Sequence, residues 1–151
     1  MKRLFWIPLV VFLLLTVGTF YLAFQDGLWI YFDFASMIVV YGFSFLIMLS
    51  LFGPREMGKA FRSALEKTPF DKKEVEQGLV FFRTLQKLFF STAGLGFFIG
   101  LIAVLRDISN PTRVGQNLAI ALLVVLYAFF GICLITIPYT GALKKRLAGN
   151  N

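Results

Sequence analysis

The chain has 151 residues, of which 58% are hydrophobic and 19 are Phe; only 15% are charged, with a net charge of +7. Soluble domains carry about 25% charged residues, so a soluble fold is excluded. With no His, a single Cys, no Walker A loop and no GxGxxG, the sequence supports no enzyme, no metal site, no cofactor and no nucleic-acid partner.

Four apolar stretches, at about 4–24, 28–52, 87–105 and 117–140, account for the hydrophobic excess. Each approaches the roughly 20 residues that cross a bilayer as a helix, and none alternates apolar with polar as a barrel strand does. The prediction is an all-α, polytopic membrane protein, a single domain over residues 1–151 with four spans. "MKRLFWIPLVVFLLL" has the basic start and apolar stretch of a signal peptide. The apolar character continues through "TVGTFYLAF" without an A-x-A-like site, so a retained span is expected. "QDG" (25–27) turns the chain into the second span. Trp29 and Tyr31 suit a membrane interface, and Asp33 is placed to cap the second span by accepting its free amides.

Pro54 marks the exit of span two, and an amphipathic helix is expected from about Arg55 until "TPF" (68–70). "DKKE" reads as a new helix start, with Asp71 as cap and Glu74 three residues on. No Pro follows until Pro111, so a helix is expected to run from the connecting segment (about 54–86) straight into span three. There Gly96 and Gly100 form GxxxG, with Thr92 four residues earlier. Small residues let membrane helices approach closely, so a helix contact is expected here and, beyond it, an oligomer face. "NPTR" and "VGQ" are expected to form the turn before span four.

Basic residues mark the topology. Lys2 and Arg3 precede span one; Arg55, Lys59, Arg62, Lys67, Lys72, Lys73, Arg83 and Lys87 lie between spans two and three; Lys144, Lys145 and Arg146 close the chain. The first connection holds Asp26 and Asp33 and no base. Positive charge stays on the cytoplasmic side, which predicts both termini inside. Arg55, Glu56, Lys59 and Arg62 are candidate contacts for a cytoplasmic partner, weighed against a plain solvated rim. The hydroxyls within the spans (Ser36, Tyr41, Ser44, Ser50, Ser91, Thr92, Tyr127, Thr136) can each satisfy their own helix. Cys133 is read as a small apolar packer. Spans three and four hold no carboxylate, so any titrating group for ion passage has to come from another chain.

"DFASMIVVYGFS" (33–44), with Asp33, Ser36 and Gly42, resembles the Asp-x-x-Ser-x-x-x-Val-x-Gly-Gly start of the second span in MotA-type flagellar stator proteins. "GLIAVLRDISNPTRVGQNLAIALLVVLYAFFGICLITIP" (100–138) is similar to their third-span end, outer turn and fourth span without a gap. Matching positions include Gly96, Gly100, Pro111, Gly115, Ala121, Tyr127 and Pro138. The chain thus resembles the MotA/TolQ/ExbB ion-channel family, on the MotA side. The resemblance implies a bacterial inner-membrane homopentamer ringed around the single spans of a MotB/ExbD-like partner that carries a membrane Asp. Ions passing that Asp, protons or sodium, drive the ring as a motor. It also implies that spans three and four line the ion path, at positions that are Phe97, Val124 and Val125 here.

The departures are specific. Relatives offer threonine or small residues where this chain has Phe97, Val124 and Val125. The second Gly of the Gly-Gly pair is Phe43, a Pro near the start of span three is Phe90, and the cytoplasmic segment is much shorter than in flagellar stators. Valine matches threonine in shape but lacks its hydroxyl. Two functions are expected from this: a stator-type proton channel and motor subunit, or a non-conducting scaffold on the same fold whose apolar wall holds partner helices or lipid. An unrelated four-helix membrane protein, such as a small transporter, is the third reading.

Overall fold

The computed structural model describes residues 10, 11, 13–18, 21, 32–65 and 71–148. The chain divides into two compact units, Met1–Asp33 and Phe34–Asn151. In the first, residues 10, 11, 13–18 and 21 are helical and mostly exposed. The remainder of the expected first span, the turn at 25–27, Trp29, Tyr31 and the break at 68–70 lie outside the described residues.

The second unit contains three long helices: α1 (Phe34–Leu65), α2 (Lys72–Arg106) and α3 (Pro111–Ala148). Each is long and apolar enough to cross a membrane, and no strand occurs among the described residues. The protein is an all-helical, multi-pass membrane protein. α2 is the central element, with α1 and α3 both packed along it.

α1 begins directly after Asp33 and contains two irregularities. A π turn covers Ile38–Gly42, and the amide of Phe43 reaches the carbonyls of Ile38 and Val40. At Gly53 the backbone leaves helical geometry altogether (φ 69°, ψ 163°), a region that costs glycine least because it has no Cβ. Pro54 then restarts the helix, since the first turn of a helix needs no amide from it. The segment 54–65 therefore leaves in a new direction, at the span exit that Pro54 was expected to mark.

α2 runs unbroken for 35 residues. The amides of Glu74 and Val75 reach the Asp71 carbonyl at 2.9 and 3.3 Å. Asp71 holds the capping position, but its side chain makes no capping bond. The connection to α3 is shorter than the sequence reading placed it. Asn110 accepts the Arg113 amide at 3.3 Å and Pro111 occupies the first turn, so the helix already contains Val114, Gly115 and Gln116, which were expected in the turn. The turn is tied by Asp107, whose carboxylate lies 3.7 Å from Arg106 and 3.9 Å from Arg113 and accepts Nδ2 of Asn117 at 3.2 Å.

α3 carries the second π turn, Ile132–Thr136. The Ile132 carbonyl accepts both the Ile137 amide and the Thr136 hydroxyl, the latter at 3.0 Å. Pro138 supplies the physical cause. Its ring crowds the carbonyl four residues back and it donates no hydrogen bond, and a wider preceding turn relieves the clash.

Around the Gly53 break and beyond it the three helices meet in an aromatic cluster. Phe52, Phe61, Phe81, Phe82 and Tyr139 pack with ring centroids 5.0 to 5.9 Å apart, and Tyr139 stacks on Phe82. Gly78 lets α2 approach both neighbours: a Cβ there would lie 2.9 Å from the Ser63 hydroxyl and 3.2 Å from Leu143. The Arg146 guanidinium donates to the Ser63 carbonyl, satisfying an acceptor in the last turn of segment 54–65.

Candidate functional site

The α2–α3 pair is closed by three glycines. A Cβ on Gly100 would lie 2.5 Å from Ala121 Cβ, one on Gly96 2.6 Å from Val124 Cγ1, and one on Gly131 2.7 Å from the Phe89 ring. The helix contact expected of Gly96 and Gly100 is therefore made within the chain, against α3. These two glycines are engaged there and no longer carry the argument for an oligomer face.

This packing fixes the rotation of both helices and separates the three candidate path positions. Val124 is buried against Gly96. Phe97 and Val125 lie together on a groove of about 140 Å³ on the outer side of the pair. Ala93, Gly94 and Ala128 also line it, with Phe90, Phe129 and Ile132. The Phe90 and Phe129 rings meet edge to face at 6.0 Å. The lining contains no hydroxyl and no charge. Gly94 differs from the other glycines of this wall, since among the described residues nothing lies within 4 Å of where its Cβ would be.

The hydroxyls of the spans lie elsewhere: Ser50 and Ser91 are exposed, and the others sit between the helices. Ser36, Ser44, Thr92 and Thr136 are all buried. Ser44 and Thr92 oxygens are 3.4 Å apart, and Thr92 also donates to the Leu88 carbonyl at 2.9 Å. Tyr41, in the first π turn, donates to the carbonyl of buried Tyr127 at 2.8 Å. Gly42 ends that π turn and Pro138 follows the second. Asp33 is half-buried at the foot of α1. These groups hold the bundle together and leave the groove dry.

The charged candidates occupy a second site. Glu56, Lys59 and Arg62 face Lys73, Glu74 and Glu76 across a groove of about 780 Å³ between segment 54–65 and the start of α2. Arg55 is exposed and does not line it. Lys59 bonds Glu56 at 2.8 Å, and that hydrogen bond holds its ammonium above the ordinary lysine range. Among the described residues, three bases balance three acids on this rim.

Sequence reasoning missed the open Gly94, the π turns and the Asn110 cap. The cap was signalled by "NP", an Asn followed by Pro at the first helical position. No protein-family model matches the chain, and no curated protein matches it.

Proposed function

We propose that the chain is the ring-forming membrane subunit of a stator-type complex driven by ion-motive force. In this reading it assembles as a homopentamer in a bacterial inner membrane, with both termini cytoplasmic. The α2–α3 wall faces inward around the helices of a single-span MotB/ExbD-like partner, and that partner brings the membrane Asp. The observation that carries this reading is the groove holding Phe97 and Val125, with Gly94 left open beside them. A helix glycine costs about 1 kcal/mol relative to alanine, and among the described residues nothing packs where the Cβ of this one would be. Close approach by a helix from another chain accounts for it. The resemblance of 33–44 and 100–138 to MotA-type proteins supplies the identity of the assembly.

The lining favours a second reading beside the first. An apolar constriction sheds water and is itself a gate, so a wall without hydroxyls also suits a non-conducting scaffold that holds partner helices. The deciding experiment is mass measurement in mild detergent, with and without a co-expressed single-span partner, followed by dye-reported proton uptake in liposomes. A pentamer that takes up protons only with the partner supports the motor. A pentamer that binds the partner without uptake supports the scaffold, and a monomer under all conditions overturns both.

A further inference from the structure

The face of α2 that carries the dry groove turns basic towards its N-terminal end. Arg83, Lys87, Phe90, Gly94 and Phe97 follow one another at steps of four, three, four and three, the spacing that keeps residues on one side of a helix. α2 is unbroken through all five. Phe90, Gly94 and Phe97 line the groove, while Arg83 and Lys87 are exposed on the two turns that precede it. No acid lies within four residues of either cation on α2. Neither makes an ion pair among the described residues. The groove itself opens outward, since Phe90 and Phe129 on its rim are 59% and 50% exposed.

The dimensions of this stripe restrict what can cover it. From Lys87 to Phe97 the helix rises about 15 Å. That is the depth of one leaflet, half of a hydrocarbon core about 30 Å thick. An occupant that reaches from the cations to the far end of the groove is anionic at one end and apolar for the remainder. It is also slim enough for a cleft of about 140 Å³. A phospholipid with an anionic headgroup has all three properties. A guanidinium meets phosphate oxygens in pairs, and a lysine meets them as a point charge.

We propose that this stripe of α2 binds one anionic phospholipid, with its phosphate on Arg83 and Lys87 and one acyl chain in the groove over Gly94. The two ends contribute differently. Lipid tails are as apolar as Leu, so the tail gains packing from the open space at Gly94 but no selectivity. Preference for an anionic headgroup comes from the two cations. The site needs only this chain, so it stands or falls apart from the stator reading. A partner helix seated on the same wall has to displace the tail.

The test is native mass spectrometry of the full chain in mild detergent, titrated with phosphatidylglycerol or phosphatidylcholine of identical acyl chains. The parent should bind phosphatidylglycerol at least tenfold more tightly. Arg83→Gln with Lys87→Gln should bring the two affinities within about twofold of each other. Gly94→Leu and, from α3, Val125→Phe should each weaken both lipids at least threefold and preserve their ratio. Arg55→Gln with Lys145→Gln removes the same charge from exposed positions on the other helices and should change neither affinity. Equal binding of the two lipids by the parent overturns the proposal. So does a loss in the Arg55/Lys145 variant as large as that in the Arg83/Lys87 variant, which marks diffuse attraction. Unaltered lipid binding in both groove-filled variants, while circular dichroism shows them helical, also overturns it. If those variants lose only self-association, the groove belongs to a second copy of the chain and the proposal fails.

Discussion

Gly96 and Val124 are in direct contact across the α2–α3 pair, close enough that a Cβ on the glycine would lie 2.6 Å from the valine methyl. Gly94, two residues away on the same helix, has no neighbour at that position among the described residues. The two glycines are thus predicted to respond oppositely. Gly96→Leu forces the helices apart and should cost about 1–3 kcal/mol. Gly94→Ala should be neutral or gain up to about 1 kcal/mol, the helix-propensity difference. Reversible unfolding of the isolated chain in mixed micelles reads both.

Val124 and Val125 separate in the same way. In the complex with a partner, Val125→Thr adds a hydroxyl to the dry groove and should raise proton uptake by liposomes without altering assembly. Val124→Thr should leave uptake unchanged, because its hydroxyl is buried beside Gly96 and turns to its own helix, as Thr92 does to Leu88. Equal effects of the two substitutions would count against the groove as the relevant surface.

The Gly53 break is a conformational requirement. At φ 69° and ψ 163° an alanine is strained by about 1–3 kcal/mol, so Gly53→Ala should lower stability by that amount or redirect segment 54–65. Gly58 lies in regular helix, and among the described residues nothing lies within 4 Å of where its Cβ would be. Gly58→Ala should stabilise by up to about 1 kcal/mol. Thermal unfolding of the two variants side by side makes the comparison.

The hydroxyls between helices should prove modest individually. Tyr41→Phe removes the donor to the Tyr127 carbonyl and should cost about 0.5–1.5 kcal/mol. Ser44→Ala and Thr92→Val should couple by only about 0.6 kcal/mol, the usual value for such pairs in membranes, because Thr92 keeps its own carbonyl partner. A double-mutant cycle measures the coupling.

The three long helices were legible in the sequence because apolar runs of membrane length have few alternatives, and the exit from the second span because of Pro54; the part that Gly53 plays in the break was not read. The start of α3 was signalled by Asn110-Pro111 and was misread, since the same two residues also initiate turns. The π turns were not legible: a widened turn leaves hydropathy unaltered and shows only in the backbone hydrogen bonds. For the same reason Val124 and Val125 were indistinguishable. Adjacent helix positions point about 100° apart, and only the packing of Gly96 and Gly100 on α3 decides which one reaches the groove.

The tie around Asp107 bears on how the hairpin enters a bilayer. α2 and α3 lie side by side with a short turn between them, so one end of the pair has to be carried through hydrocarbon. In the proposed topology that end is the turn, and Arg106, Asp107 and Arg113 travel with it. A single charged side chain at mid-membrane costs about 2.5–3.5 kcal/mol during insertion. Asp107 within 3.7 and 3.9 Å of the two arginines leaves that cargo one net charge, and Asn117 covers a carboxylate oxygen. The neutralisation requires the end of α2 and the start of α3 to be already together. Crossing is therefore cheapest for a hairpin that zips first, which makes the pair, rather than either helix, the unit of translocation.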